Sequence, residues 1–485
     1  MIRTLNFCLT LFALFLTTFC MAQKSELKFN KDGKFKIVQF TDVHFKYGNP
    51  ASDVALERIN QVLDAEQPDV VIFTGDVIYS APADSGMLKV LEQVSKRKLP
   101  FVVTFGNHDD EQGLTRTQLY DIIRTVPGNL MPDRGTALSP DYVLTVKSSS
   151  DPKKDAALLY CMDSHSYSPL KDVKGYNWLT FDQINWYRQQ SAAYKAQNGG
   201  QPLPALAFFH IPLPEYNEAA RTENAILRGT RMEEACAPKL NTGMFAAMKE
   251  AGDVMGMFVG HDHDNDYIGM LYNVGLAFGR VSGWDAYGDF ERGGRIIELR
   301  EGKFEFDSWI RTSSGKEYTY YYPSGLTSKD EETMEFLPAK TVKPKKHGVA
   351  YTYYEGKFKH TDQIASGTKV KEGTMKNISI QEAPAKDHFA YEFRTLINIP
   401  EKGVYRFYTY SDDGSKLFID GKAIVDNDGS HNARIAKGKV ALDAGFHELR
   451  VLYFEDYMGE ALEVGVSSRK IKEAVLPEDW YYLPE

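Results

Sequence analysis

Between residues 35 and 260 the chain repeats one pattern that few folds satisfy: a short apolar run, a polar turn and then an amphipathic stretch. The first three runs are FKIVQFTD, PDVVIFTGD and LPFVVTFGN, and each ends in a turn that contains Gly, Asp or Asn. The stretches after the first two runs, 52–65 and 87–96, have apolar residues at helical spacing. Strands that alternate with helices predict β-α-β units and a mostly parallel sheet.

The rest of this region predicts strands in a second arrangement. The runs DYVLTV and AALLYCMD follow each other closely, which predicts a second or mixed sheet, and helices are predicted over 180–197 and 244–251. The segment GRIIELREGKFEFDSWI is typical of a hairpin that turns at 301–302. We therefore expect a first domain of the α/β class over residues 24–312.

The first 22 residues have the composition of a secretory signal peptide. Arg3 precedes the apolar run FCLTLFALFLTTF, and the small residue Ala22 stands at the expected cleavage position. The alternative is an uncleaved membrane anchor, but the run is short for a span, which needs about 20 apolar residues. No later segment of the sequence is long and apolar enough to cross a bilayer. We expect a secreted or periplasmic protein that is not an integral membrane protein.

A chain of 485 residues is too long for one ordinary core, so a second domain is expected. Segment 313–346 mixes Pro, Gly, Ser and charged residues without a sustained period, which is typical of a linker. Beyond it, runs such as GVYRFYTYS and HELRVLYFE alternate with a period of two and are separated by turns that contain Gly. This pattern predicts an all-β barrel or sandwich over 347–485.

Charge and cysteine content narrow the class of protein further. The net charge of −9 and the isoelectric point near 5.8 argue against a surface that binds nucleic acid. Cys8 and Cys20 lie in the predicted signal peptide, which leaves Cys161 and Cys236 in the mature chain. One disulfide between them is compatible with an oxidising compartment, but their spacing matches no zinc motif. The sequence leaves their pairing open.

Side chains that bind metals follow five of the predicted strands. In an open α/β sheet, ligands bind beyond the carboxyl ends of the strands, so these side chains are expected to face one region. Carboxylate and imidazole together suit iron, zinc or manganese, and one carboxylate can bridge two cations about 3.5–4 Å apart. Glycine opens three of the motifs, at positions where a Cβ atom would crowd the cluster. The five motifs are Asp42-Val43-His44, Gly75-Asp76, Gly106-Asn107-His108-Asp109, His210 and Gly260-His261-Asp262-His263.

Each motif alone has an ordinary explanation. Asp-x-His occurs by chance on surfaces, Gly-Asp is a common turn, and Gly-Asn-His-Asp can begin a helix. His210 can be a buried histidine of the core. Because all five motifs follow strands in this order, we favour a site for two metal ions.

The motif order is similar to that of the calcineurin-like metallophosphoesterase superfamily, over roughly residues 35–300. FFHIPLPEY and EAGDVMGMFVGHDHDNDY resemble its purple-acid-phosphatase-like branch, which includes the plant type 29 enzymes. The resemblance implies a four-layer αββα sandwich, two divalent or trivalent metal ions (Fe, Mn or Zn), and hydrolysis of phosphate monoesters by in-line attack of a metal-bound hydroxide. A phosphodiesterase or nucleotidase is an alternative, because these enzymes share the ligand set. A glycan-binding surface protein with an inactive phosphoesterase domain is another, although no ligand is missing.

The resemblance also implies a role for each residue of the motifs. One metal would be held by Asp42, His44 and His263, and the other by Asn107, His210 and His261, with Asp76 as the bridge. His108 would contact the phosphoryl oxygens or protonate the leaving alkoxide. Asp109 would orient His108 and determine its tautomer.

One position departs from the pattern of the true purple enzymes. Those enzymes have a tyrosine three residues after the bridging aspartate, and they lack the histidine of the first motif. This chain has both His44 and Tyr79. We expect His44 to be the ligand and Tyr79 to be a wall residue, so the metal-loaded protein should not be purple.

Further candidates lie outside the five motifs. Arg228 and Arg231 stand on a predicted loop, where they form either a fork for phosphate or a solvated surface pair. Trp284 and Tyr287, in GRVSGWDAYG, are candidates for the rim of the site. The sequence assigns no role to these four residues.

The second domain resembles the protective-antigen domain family over roughly residues 346–470. GVAYTYYEGKF, YSDDGSKLFIDGKAIVDNDGSH and GKVALDAGFHELRVLYFEDYMGEALEVGV carry the likeness in order and spacing. In sugar-binding members adjacent aspartates, here Asp412 and Asp413, hold a calcium ion that also contacts glycan hydroxyls. Asp-Asp-Gly is equally a turn signal, and 426–429 (Asp-Asn-Asp-Gly) is as ambiguous. A packing or protein-contact role is the alternative.

Overall fold

The computed structural model describes residues 26–135, 140–221, 227–344 and 346–484. The predicted signal peptide, 1–22, lies outside the described residues, as do Cys8 and Cys20. None of the helices in the described part of the chain is long and apolar enough to cross a membrane.

Two seven-stranded mixed sheets form the centre of the first domain. From edge to edge, the strands of the first sheet are Leu27–Lys28, Tyr142–Lys147, Asp155–Cys161, Ala205–Phe208, Val254–Val259, Val274–Phe278 and Ile268–Leu271. Those of the second sheet are Leu326–Thr327, Gly315–Tyr322, Phe306–Thr312, Gly293–Arg300, Lys34–Phe40, Val70–Thr74 and Phe101–Thr104. The strands of the first three apolar runs are neighbours and run parallel, as predicted.

Helices cover both outer faces of this pair of sheets. Asp53–Glu66, Ala83–Ser95 and Arg116–Arg124 share the large apolar core that also lies between the sheets. Phe181–Gln197 and Met244–Ala251 pack on the first sheet around a second core. The order helix, sheet, sheet, helix confirms the predicted four-layer αββα sandwich. The short helix Glu215–Arg221 and the 3₁₀ helices Pro50–Ser52 and Asp109–Glu111 complete the described helices of this domain.

The segment predicted as a linker, 313–346, is largely built into the two domains. Gly315–Tyr322 pairs with Phe306–Thr312 and is followed by Leu326–Thr327, so the second sheet continues beyond residue 312. The reason is aromatic burial, because the Tyr322 ring stacks on Phe306 with centroids 4.7 Å apart. Pro323 and Ser324 belong to the tight turn that leads into Leu326–Thr327. The helix Ser328–Thr333 and the strand Phe336–Leu337 follow.

The second domain consists of two sheets that pack around one apolar core, which makes it a sandwich. One sheet contains Phe336–Leu337, Arg434–Leu442, Gly403–Asp412, Ala461–Ser468 and Ala474–Val475. The other contains Thr368–Met375, Val349–Glu355, Phe389–Ile399, Gly445–Glu455, Ser415–Ile419 and Lys422–Asn427, with Tyr481–Tyr482 paired to Phe389–Ile399. The 3₁₀ helices are Thr361–Ser366 and Glu478–Trp480.

The two domains contact each other through the end of the second sheet. Tyr321 and Leu326 of the first domain form an apolar cluster with Val404 and Ala441 of the second. The guanidinium of Arg469 lies 3.9 Å from the centroid of the Tyr321 ring. Lys439 also pairs with Asp330 at 2.8 Å. The interface is therefore both apolar and charged.

Candidate metal centre

The carboxyl ends of five strands bring the predicted ligands to one place. Lys34–Phe40, Val70–Thr74 and Phe101–Thr104 of the second sheet lead to the motifs at 42–44, 76 and 107–108. Ala205–Phe208 and Val254–Val259 of the first sheet lead to His210 and to 261–263. The seven side chains are all buried: Asp42, His44, Asp76, Asn107, His210, His261 and His263. Both sheets therefore contribute to one cluster.

The first group of ligand atoms belongs to Asp42, His44 and His263. Their atoms lie within 4.8 Å of one another. Nε2 of His263 is 3.3 Å from Oδ1 of Asp42. These are the residues that the resemblance assigns to one metal.

The second group belongs to Asp76, His210 and His261 and is equally compact. Nε2 of His210 lies 3.2 Å from Oδ2 of Asp76 and 3.3 Å from Nδ1 of His261. The same Asp76 oxygen is 3.5 Å from Nε2 of His44, which belongs to the first group. Asp76 therefore lies between the groups, as a bridging carboxylate must.

Four atoms of the cluster are buried and lack a hydrogen-bond partner among the described residues. They are Nε2 of His44, Oδ1 of Asn107, Nε2 of His261 and Nδ1 of His263. A buried polar atom without a partner destabilises a protein by about 1–3 kcal/mol. Bound cations would satisfy such atoms, so the residues fit a pair of metal ions.

Hydrogen bonds within the protein orient the ligands. Nδ1 of His210 donates to the carbonyl of Thr74 at 2.8 Å, which directs Nε2 of the same ring towards Asp76. The carboxylate of Asp42 accepts the backbone N–H of His261 at 3.0 Å and the Thr41 hydroxyl at 2.8 Å. The side chains of His210 and Asp42 are thus held in place by the protein itself.

The charges in the cluster stabilise ionised carboxylates. Burial raises the pKa of Asp76, but the neighbouring His210 and His44 outweigh it and hold that pKa well below the ordinary value. Burial likewise opposes protonation of His210, and Asp76 and Asp42 reverse the balance and raise its pKa to about 9. Carboxylates that are ionised when buried attract cations.

The backbone at the ligands is unusual. Asp42, His44, Asp76 and His261 have φ angles of 51°, 47°, 49° and 80°, in the left-handed region that residues other than glycine rarely adopt. Such conformations concentrate at functional sites. The predicted reason for the glycines is confirmed at Gly106, where a Cβ atom would overlap Oδ1 of Asp76.

The structure corrects the predicted role of Asp109. Its buried carboxylate accepts the backbone N–H groups of Asp76, Val77 and Gly106 at 2.8–3.0 Å and does not contact the His108 ring. It therefore holds the turn that carries Asp76. This arrangement follows from burial, because the carboxylate must satisfy its oxygens and the nearest donors are the N–H groups of that turn.

The partner of His108 is Glu111, which the sequence analysis missed. Oε2 of Glu111 lies 2.6 Å from Nδ1 of His108, and Oε1 accepts the hydroxyl of Tyr167 at 3.0 Å. His108 and Glu111 both belong to the short turn around Asp109–Glu111. A spacing of three residues was the available signal, because one helical turn brings such side chains together.

A cavity of about 310 Å³ opens above the ligands. Tyr79 lies in its wall, with its ring centroid 4.9 Å from that of His44, as predicted. Tyr287, a candidate for the rim, also lines the cavity. The full lining is His44, Asp76, Tyr79, His108, Tyr176, Cys236, His261, Asp262, His263, Asp285, Ala286 and Tyr287.

Arg228 and Arg231 are not among the lining residues of the cavity. Their backbones pair with Ile268 and Asn265, and the Arg228 guanidinium lies 5.3 Å from the centroid of the Tyr318 ring. This pairing attaches the predicted loop that contains both arginines to the backbone at 265 and 268. Cys161 is buried, Cys236 is exposed, and neither forms a disulfide.

The second domain contains a separate cluster of acidic side chains. Asp412, Asp413 and Glu455 bring carboxylate oxygens within 4.8 Å of one another. Oε1 of Glu455 is buried without a hydrogen-bond partner, and burial together with Asp413 raises the pKa of Glu455 to about 8. The sequence analysis missed Glu455. Asp428 is not part of this group and pairs with Lys416 at 3.0 Å.

Comparison with known proteins agrees with this architecture. Residues 35–265 match the calcineurin-like phosphoesterase family, and residues 345–480 match the PA14 domain. The chain is 31% identical to the "probable inactive purple acid phosphatase 29" of Arabidopsis thaliana, across 67% of this chain and 94% of that protein. It is 32% identical to phosphatase DCR2 of Saccharomyces cerevisiae, across 62% of this chain and 58% of the yeast protein.

A solved structure, a dimetal phosphatase from Danio rerio, is 12% identical with a TM-score of 0.42, over 59% of this chain and 98% of that one. The family match, from residue 35 to residue 265, includes all five motifs. The chain therefore belongs to the calcineurin-like phosphoesterase family and carries a PA14 domain after its phosphoesterase domain.

Proposed function

We propose that this protein hydrolyses phosphate esters, and monoesters in particular, at a site that holds two metal ions. The observation that carries the proposal is the set of four buried, unpartnered ligand atoms beside one cavity. The name of the Arabidopsis relative describes that protein as inactive. In this chain all seven predicted ligands are present and buried together, which favours an active site.

Seven side chains would hold the two metal ions. Asp42, His44 and His263 would hold one cation, Asn107, His210 and His261 the other, and Asp76 would lie between them. When bound, iron, manganese or zinc ions polarise phosphoryl oxygens and lower the pKa of water.

His108 acts on the substrate itself in this proposal. Glu111 holds a proton on Nδ1 of His108, so that Nε2 is available to a phosphoryl oxygen or to the leaving alkoxide. Asp109 keeps Asp76 in place through the backbone of the intervening turn. Nδ1 is assigned as the protonated nitrogen because its neighbour is a carboxylate.

The proposal is tested by metal analysis and by a panel of esters. The full chain, loaded with iron, manganese or zinc, is assayed on an aryl monoester, an aryl diester and a nucleotide. We expect about two metal ions per chain and the highest kcat/KM on the monoester. Cleavage of the diester with no turnover of any monoester would instead establish a phosphodiesterase.

Two substitutions separate loss of ligands from loss of fold. His263→Ala and Asn107→Ala each remove a ligand from a different metal. Both variants should therefore bind less metal, and their kcat should fall more than about a hundredfold. Circular dichroism should show the native fold in both. Full activity in either variant would refute the assignment of that ligand.

We also propose that the second domain binds calcium at Asp412, Asp413 and Glu455, and binds a glycan through that ion. The support is a buried carboxylate oxygen of Glu455 without a partner, since calcium prefers carboxylate oxygens. Isothermal titration with calcium should give one site that is lost in Glu455→Gln. Unchanged binding in this variant would exclude the site.

The signal-type N-terminus supports export, and we propose a secreted or periplasmic location for the mature protein. A mature N-terminus after Ala22 in the secreted or periplasmic fraction would support this location. Retention of the first 22 residues in an intracellular protein would contradict it.

A further inference from the structure

A tyrosine ring lies against every metal-ligand imidazole that lines the cavity. The three pairs are Tyr79 with His44 at 4.9 Å, Tyr176 with His261 at 4.2 Å, and Tyr287 with His263 at 4.0 Å between ring centroids. The imidazoles are buried, whereas Tyr79 and Tyr287 are partly exposed. The cavity therefore has its metal ligands at the floor and aromatic rings in its walls.

The aromatic wall continues outward from the cavity. Tyr167 stacks on Tyr176, with centroids 5.8 Å apart and the ring planes inclined by 23°. Tyr79, Tyr167 and Tyr287 are 37%, 49% and 51% exposed. Single exposed aromatic side chains are ordinary, but a group around one opening marks a binding surface.

Two of these tyrosines already use their hydroxyl groups in hydrogen bonds within the protein. The hydroxyl of Tyr287 donates to Glu233 at 2.9 Å and accepts the backbone N–H of His263 at 3.2 Å. The hydroxyl of Tyr167 donates to Glu111 at 3.0 Å. An alcohol rich in hydroxyl groups needs hydrogen-bond partners, whereas a flat ring needs only ring surface.

The size of the cavity limits what can occupy it. Its volume of about 310 Å³ is at the lower end of the range for small-molecule pockets, which is about 300–1,000 Å³. A cavity of this volume accommodates a phosphoryl group and one small substituent. The occupant is therefore a small ester.

We propose that the substrate class is a phosphate ester whose alcohol carries one aromatic ring, held among Tyr79, Tyr176 and Tyr287. This inference rests on the proposed function, because it concerns the alcohol part of the ester at the same site. Contacts between aromatic rings favour binding beyond the area that they bury. One or two such contacts predict about a tenfold preference for the aromatic ester.

Three monoesters of primary alcohols test the preference without a large change in the ester bond. They are benzyl phosphate, cyclohexylmethyl phosphate and propyl phosphate, assayed with the metal-loaded full chain. We expect kcat/KM for benzyl phosphate to be about tenfold above that for the other two. Equal values for the benzyl and cyclohexylmethyl esters would overturn the proposal.

Variants locate the preference in the cavity. Tyr287→Leu and Tyr176→Leu should reduce the ratio of kcat/KM between the benzyl and propyl esters. Tyr272→Leu is the control, because Tyr272 is an exposed tyrosine in the turn between two strands of the first sheet. A ratio that is unchanged in both cavity variants would contradict the proposal.

A binding measurement distinguishes this inference from the proposed function. Benzylphosphonate and propylphosphonate resist hydrolysis, and calorimetry with the metal-loaded chain compares their Kd values. We expect benzylphosphonate to bind about tenfold more tightly. Tighter binding without turnover of any ester would contradict the proposed function and support the aromatic site. Turnover of esters, together with equal Kd values for the two phosphonates, would support the proposed function and contradict the aromatic site.

Discussion

At the scale of single residues, two neighbours in the sequence have different environments and different roles in the site. His108 and Asp109 are neighbours in sequence, yet the His108 ring lines the cavity and the Asp109 carboxylate is buried against backbone N–H groups. The carboxylate that contacts the His108 ring belongs to Glu111, whereas the sequence analysis assigned this contact to Asp109. The consequence is that the orientation of His108 depends on a partly exposed carboxylate.

We predict that Glu111→Gln lowers kcat about tenfold and leaves the metal content unchanged. The amide cannot form the charge-assisted hydrogen bond that holds the proton on Nδ1 of His108, and such partners typically contribute about 10–100-fold. Glu111→Asp should recover part of the loss. Glu92→Gln, on the exposed side of Ala83–Ser95, is the matched control. A kcat equal to that of the native chain would show that Glu111 does not position His108.

At the scale of elements, the turns after the strands matter more than the strands themselves. Four ligands have a left-handed backbone, and Gly106 lets its own turn approach the turn that carries Asp76. Strand ends are encoded locally by an apolar run followed by polar residues, so the sequence was sufficient to predict that the five motifs meet in one region, and the family resemblance divided them into two ligand groups. The contacts between turns depend on tertiary packing, and for this reason Glu111 and Glu455 were not found.

The same reasoning explains why the strand Gly315–Tyr322, within segment 313–346, was not predicted. The segment has turn residues that are typical of linkers, and its strand Gly315–Tyr322 lacks a clean alternation of buried and exposed residues. Its burial depends on Phe306, on the neighbouring strand, and on the second domain. A local pattern cannot contain that information.

We predict that Gly106→Ala destabilises the first domain by about 1–3 kcal/mol or more and prevents metal binding. The added Cβ atom would overlap both Oδ1 and the backbone nitrogen of Asp76. Gly403→Ala is the control, since its nearest neighbour would be a Tyr405 ring atom at 3.8 Å. Urea unfolding and metal analysis measure the two effects. A variant with native stability and metal content would contradict the close approach of the two turns.

A second prediction for an element concerns the pair His447 and Asp420 in the second domain. Burial opposes the charge on His447, but hydrogen bonds from Nδ1 to Asp420 at 2.6 Å and from Nε2 to the carbonyl of Asp443 raise its pKa. Burial raises the pKa of Asp420, and the His447 hydrogen bond outweighs this and lowers it. The pair is therefore strongest between the ordinary pKa values, 3.8 and 6.5.

The His447 contribution should be complete below pH 6.5 and lost as the pH rises through the raised pKa. The Asp420 contribution should be lost as the pH falls below 3.8. Relative to His447→Gln, the native chain should be about 1–3 kcal/mol more stable at pH 6, and this difference should shrink at pH 9. Urea unfolding at both pH values measures the difference. A difference that is independent of pH would contradict the charged pair.

At the scale of the whole molecule, the two domains share an interface in which Leu326 is buried against Val404 and Ala441. The interface includes a strand of the first domain and continues into the segment 328–346. The orientation of the phosphoesterase site relative to the acidic cluster of the second domain is therefore set by packed side chains.

We predict that Leu326→Ala weakens this interface. Removal of a buried leucine side chain typically costs about 2–5 kcal/mol. The melting temperature should fall, and trypsin should cleave within 329–346 faster than in the native chain. Leu88→Ala, at a partly exposed position of a helix, is the control. An unchanged rate of cleavage would show that the segment is held by other contacts.

The left-handed backbone at Asp42, His44, Asp76 and His261 has a consequence for engineering. Each is a position where glycine would adopt the native conformation at lower cost, by about 1 kcal/mol or more. At His44 and His261, whose Nε2 atoms are buried without a hydrogen-bond partner, a screen that selects only for thermal tolerance would therefore favour glycine and discard the site. Directed evolution of this protein needs a selection for turnover in every round, since selection for stability alone favours loss of metal ligands.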